Sequence, residues 1–100
     1  MKLVAIMCVE EYSDLARKLL KDVQVPAFSE SEIMGYKYAE EKEDDNWFAN
    51  KHTLDNSHLF FTMCSENKAE EIMAAVKDCK EKLNKNHVHA FVLNIEQHLS

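Results

Sequence analysis

The sequence predicts a small α+β domain whose elements run in the order β-α-β-β-α-β. Three observations carry this: two stretches with apolar residues at helical spacing, four runs of strand character, and the alternation of the two kinds along the chain. Residues 1–100 read as a single domain. A chain of 100 residues that is 46% hydrophobic and 30% charged can build one modest core.

Lys2 to Val9 reads as the first strand. It is apolar on both parities, with Val4, Ile6 and Cys8 on one side and Leu3, Ala5 and Met7 on the other. A strand with one wet face would alternate with polar residues, so both faces of this one are expected to be covered. Ser13 and Asp14 then supply the N-cap and first-turn acid of a helix. Leu15, Leu19 and Val23, joined by Ala16 and Leu20, form its apolar stripe, and Pro26 is expected to close it by disfavouring helix at Val25. Ala27 to Tyr38 reads as a strand with Phe28, Glu30, Glu32, Met34 and Tyr36 on one parity and Ser29, Ser31, Ile33 and Gly35 on the other.

Periodicity disappears from Ala39 to Ser57, a nineteen-residue loop that is long for so small a domain. It opens on an acidic run, Glu40 to Asp45, followed by Trp47, Phe48 and His52. The run reads as a solvated face or as a surface that docks on a basic partner. The two aromatics either anchor a partner or planar ligand, or fold back over the domain edge. His58 to Cys64 resumes strand character, with Leu59, Phe61 and Met63 opposite His58, Phe60, Thr62 and Cys64. Ser65 to Asn67 cap a second helix with the stripe Ala69, Ile72, Val76, Cys79 and Leu83. Val88 to Ile95 is a last strand, again apolar on both parities.

Two right-handed crossovers joined in this order give a ferredoxin-like fold, an antiparallel four-stranded sheet with both helices on one face. The apolar parity left over on the other face is expected to be buried by packing of sheets between copies of the chain.

Composition limits the function. A formal net charge of −6 repels nucleic acid and anionic lipid. Three cysteines without CxxC spacing argue against a disulfide framework and for a reducing compartment, so a cytoplasmic protein is expected. Leu3 to Val9 is too short to span a membrane and lacks a following cleavage pattern. Cys79 reads as a small core hydrophobe, while Cys8 and Cys64 end adjacent strands of the expected sheet and could be neighbours there. No Cys/His signature or paired carboxylates argue for catalysis, so no enzyme is expected.

Five histidines in so short a chain invite a metal hypothesis. His52 and His58 flank the end of the loop, and His87 and His89 can share a ligand if that segment is extended. Asp55 or Glu43 could add a carboxylate. The competing reading is surface histidines with ordinary titration.

The segments MKLVAIMCVEEYSDLARKLL, VPAFSESEIMGYKY and HAFVLNIEQ together resemble the PII nitrogen-regulatory proteins over nearly the whole chain. Glu32 and Gly35 stand where that family carries a Glu and a Gly. The resemblance implies a homotrimer that binds a small effector in clefts between subunits, and a loop after the second strand, here 39–57, that regulates a partner such as the cytoplasmic face of a membrane transporter. On that basis the candidate effector-binding residues are Ser29, Gly35, Lys37, Trp47 and His89, and an adenine nucleotide or a divalent metal is the candidate cofactor. The chain departs from the family at its phosphate-binding turn, where Leu83, Asn84, Lys85, Asn86 and His87 contain no glycine. It therefore resembles a divergent PII-like protein. The alternative is a trimeric metal-binding protein, like the related copper-tolerance trimers, with His52, His58, His87 and His89 as ligands.

Overall fold

The computed structural model describes residues 1–36, 54–83 and 87–99. Four strands and two helices are present: β1 (Lys2–Val9), α1 (Ser13–Asp22), β2 (Ser29–Tyr36), β3 (Leu54–Cys64), α2 (Glu66–Leu83) and β4 (Val88–Asn94). The strands form one antiparallel sheet in the order β2-β3-β1-β4. This is the ferredoxin-like arrangement expected from the element order.

Helix α1 starts and stops differently from the sequence expectation. A 3-10 turn at Glu10–Tyr12 leads directly into it, and Ser13 is its buried first residue without a side-chain cap. At the other end, Gln24 N–H donates to the Lys21 carbonyl at 2.9 Å and Val25 N–H to the Leu20 carbonyl at 3.0 Å. This is a Schellman closure. Gln24 takes the left-handed conformation, φ 62°, that glycine adopts most cheaply. The helix therefore ends before Pro26 can act. The cap of α2 is as expected, with Lys68 N–H donating to Ser65 Oγ at 3.2 Å.

Parity divides the sheet cleanly. Val4, Ile6 and Cys8 of β1 lie with Phe60 of β3 and Val88 of β4 under the helices, meeting Ala16 and Leu20 of α1 and Ala69, Ile72 and Val76 of α2. Phe60 and Ile72 are fully buried. Cys79 is only half-buried and stands outside this core.

The opposite face carries no helix among the described residues. The ladders align Met63, Leu3 and Leu93 in one row, and Ser29, Phe61, Ala5 and Phe91 in the next. Ser31, Leu59, Met7 and His89 follow. Phe61 (39%), Met63 (60%), Phe91 (39%) and Leu93 (50%) are exposed there, so a contiguous apolar surface faces outward.

Two expectations are corrected. The loop before β3 is shorter at its end than the sequence suggests, because pairing of Tyr36 with Leu54 through Ile33 with Ser57 makes 54–57 part of the strand. Cys8 and Cys64 are not neighbours: antiparallel pairing sets Cys8 against His58 and Cys64 against Lys2, at opposite ends of β1. All three cysteines are free thiols. No helix among the described residues is long and apolar enough to cross a membrane.

Candidate functional site

Lys37, Trp47 and His52, with Glu43, Phe48, Asn84 and Asn86, lie outside the described residues. The other candidates are placed by strand register. Ser29 stands opposite Phe61 and Gly35 opposite Asp55, both on the open face of β2. Gly35 is buried and takes no positive φ, so its contribution is small size and not handedness. His89 stands on the same face but on β4, opposite Met7. Strands β3 and β1 intervene, and three spacings of about 4.8 Å put roughly 14 Å between the two edges. One chain therefore does not bring Ser29 and Gly35 together with His89.

The histidines divide in the same way. His58 lies on the helix side, with Cys8 and Glu32 as its neighbours across the two ladders. His87 and His89 lie on the open side: Val9 N–H donates to the His87 carbonyl at 3.4 Å, which carries the β1–β4 ladder one residue past Cys8 and Val88. The sheet itself separates His58 from the other two. Among the described residues no three of His, Cys, Asp and Glu converge as a metal-binding group.

His58 instead completes a cluster that sequence reasoning missed. Its Nδ1 is 2.8 Å from Glu30 Oε2. The same carboxylate accepts both prongs of the Arg17 guanidinium, Nε at 2.8 Å and Nη2 at 2.7 Å. Arg17 also pairs with Asp14. The cluster ties α1, β2 and β3 together, and its signal in the sequence was only that Glu30 shares parity with Phe28. Arg17, then His58, hold the Glu30 carboxyl below the usual carboxylate range against the opposing effect of burial. Burial, reinforced by the Glu30 charge and opposed by Arg17, pushes the Cys8 thiol up to about 11. That shift makes Cys8 a poor nucleophile at neutral pH.

A cleft of about 300 Å³ opens beside His58, walled by Glu10, Glu32, Met34 and Asn56. Two carboxylates and no lysine or arginine line it among the described residues, so its charge is wrong for an unassisted anion. A second cleft, about 350 Å³, lies between α2 and β4 and is lined by Lys77, Lys80, Met73 and Ala90. Glu81 also lines it, so its two lysines face one carboxylate and leave a single net positive charge toward an anion. Burial lowers the pKa of His89 on the same strand, and Lys80 and His87 add to that effect.

Two further polar atoms stand out. Ser57 Oγ and His87 Nδ1 are buried and have no hydrogen-bond partner among the described residues. Both belong to the row Ile33, Ser57, Val9, His87 on the open side. Buried polar groups left unpaired cost about 1–3 kcal/mol each, so a hydrogen bond to either atom would be favourable. Ser57 escaped the sequence reading because it was assigned to the loop.

Over 99% of this chain and 93% of the other, the structure is similar to CPII from Thiomonas intermedia K12, described as a nitrogen regulatory PII-like protein bound to ADP, AMP and bicarbonate, with a TM-score of 0.68 and 12% identity. The fold is PII-like. A second structure of CPII, bound to ADP, AMP and acetate, gives a TM-score of 0.66 and 14% identity over 94% of this chain and 84% of that one. A DUF3240 family protein from Shewanella baltica OS155 gives 0.65 and 14% over 99% and 93%. No protein-family profile matches the chain, and no curated protein matches it. The likeness is one of backbone architecture, at 12–14% sequence identity.

Proposed function

We propose that the chain is a non-enzymatic PII-like regulatory protein that assembles as a homotrimer and binds a small anionic effector between subunits. The observation that carries this reading is the open sheet face. Phe61, Met63, Phe91 and Leu93 are too exposed and too contiguous for a solitary chain, and a second copy of the same face would bury them. Assembly also answers the separation of the candidate site residues. Edge strand β2 presents Ser29 and Gly35, and edge strand β4 presents His89 with Lys80 close by, so a cleft formed by two copies can combine them. Such a cleft would bring one lysine, Lys80, and the imidazole of His89 to one wall and a small residue to the other, which suits the phosphate and base of an adenine nucleotide. CPII, whose fold this chain shares, binds ADP and AMP.

Without a glycine-built turn, phosphate recognition here rests on side chains, with Lys37 as the proposed cation at the exit of β2. The acidic segment between β2 and β3 is the proposed contact to a partner, such as the cytoplasmic face of a transporter. Light scattering on the purified chain together with calorimetric titration of ADP, AMP and bicarbonate tests the proposal. A trimer that binds at least one of the three supports it; a monomer at micromolar concentration, or silence across the three, overturns it.

A further inference from the structure

We propose that the corner of the helix side around Glu10, Glu32, Met34 and Tyr36 docks an arginine-bearing basic segment of a partner protein. On this side of β2 the row runs Glu30, Glu32, Met34 and Tyr36, set across the ladder from Phe60, His58, Asn56 and Leu54. Helix α1 reaches the row at Glu30, through Arg17. Past that point Glu32, Met34 and Tyr36 are exposed, Met34 to 59% and Tyr36 to 53%. The Tyr36 hydroxyl donates to Met34 Sδ at 3.7 Å, so the two side chains form one apolar ledge. Beside this ledge opens the cleft of about 300 Å³, which Glu10 walls from the end of β1.

Charge and shape together name the occupant. Arg17 neutralises Glu30, whereas among the described residues neither Glu10 nor Glu32 has an ion-pair partner. A cation entering the cleft therefore meets two unshared carboxylates. The cleft is at the small end of ligand sites, so it takes one side chain and not a whole nucleotide. Among the described residues no three of His, Cys, Asp and Glu converge as a metal-binding group, which favours an organic cation. A guanidinium uses both features of the surface: it donates two prongs to a carboxylate, and its flat face stacks on an exposed tyrosine. A lysine ammonium has neither the fork nor the flat face. In an extended segment, residues two apart leave the same side at a spacing of roughly 7 Å, the same step that separates Glu32 from Met34 along β2. An aliphatic residue two positions from the arginine thus comes to the ledge. This surface lies on the opposite side of the sheet from Ser29, Gly35 and the apolar face that the proposed trimer buries, so that assembly leaves it uncovered. It does not rest on the effector reading.

The test is a titration of the nitrogen-15-labelled full chain with the peptide acetyl-Thr-Arg-Thr-Leu-Thr-amide, followed by amide chemical shifts. Amides of Glu10, Glu32, Met34, Asn56 and His58 should shift and saturate, and those of Phe91 and Leu93 should stay in place. Lysine in place of the peptide's arginine should weaken binding by at least about threefold. Glu10→Gln with Glu32→Gln should weaken it by about tenfold. Glu70→Gln with Glu96→Gln, which removes the same charge from exposed sites elsewhere, should leave it unchanged. Absence of saturable shifts, equal binding of the two peptides, or equal losses in the two double variants would each overturn the proposal. Shifts of the same amides on raising the protein concentration alone would make a second copy the occupant and overturn it as well. If Glu10→Gln with Glu32→Gln misfolds by circular dichroism, Tyr36→Leu decides: the preference for arginine over lysine should disappear, and its persistence refutes the site. These outcomes read the same whether or not the chain trimerises or binds ADP.

Discussion

The two faces of the sheet are built from the same strands and nearly the same residue types, yet they do different work. Phe60 and Phe61 are adjacent in β3; the first is fully buried under the helices and the second is 39% exposed on the open face. On the covered face, apolar surface is spent on folding the chain, and the polar groups admitted there, Arg17, Glu30 and His58, satisfy one another. On the open face, apolar surface stays exposed, and Ser57 Oγ and His87 Nδ1 find no hydrogen-bond partner among the described residues. A saturated face stabilises, and an unsaturated one is available for partners and ligands.

That contrast can be broken most forcefully at Phe60. Phe60→Ala should cost about 3–5 kcal/mol in denaturant unfolding, because the cavity lies in the centre of the core. Comparable losses from Phe61→Ala in the isolated chain would show that the faces do not differ as described.

Alkaline pH gives the next effect. The folded Cys8 thiol ionises near 11 and the unfolded one near 9.0, so stability is complete below about pH 9 and falls as pH rises toward 11. The loss should reach about 3 kcal/mol, at roughly 1.4 kcal/mol per pH unit, and Cys8→Ala should flatten the limb. Cys64, raised by burial against the opposing charges of Lys68 and the N-terminus, should react with a thiol reagent well before Cys8 does.

Glu30 tests the polar part of the covered face. Its folded pKa is lowered, so its contribution is present above the unfolded value of about 4.5 and lost as pH falls through the folded one. Glu30→Gln should cost about 1 kcal/mol at pH 7 and nothing at pH 2, read from unfolding midpoints across that range.

The smallest change in chain stability belongs to the open face. Leu93→Asp, at a half-exposed position, should move unfolding of the isolated chain by no more than about 0.5 kcal/mol while shifting sedimentation from assembly to monomer. Unchanged sedimentation would remove that face from the interface.

Local pattern was enough to read most of the fold. The first strand, Lys2–Val9, has the bounds its composition suggests, and the parity sets of β3 are those its alternation gives, because side-chain direction in a strand depends only on its own backbone. Helix ends were less legible, since the closure at Gln24 uses a backbone conformation that its residue type does not advertise. The site was legible as residue types and not as an assembly. Four histidines looked equivalent along the chain, yet His58 faces the helices while His87 and His89 face away.

The sequence by itself therefore determined the order of elements, their periodicities and the presence of two apolar parities, all of which are properties of neighbours in the chain. Only the tertiary structure decided which parity the helices cover, that Glu30 meets Arg17 and His58, and that Met7 lies against His89. Those facts depend on register between strands far apart in sequence, where a slip of one residue would reverse every face.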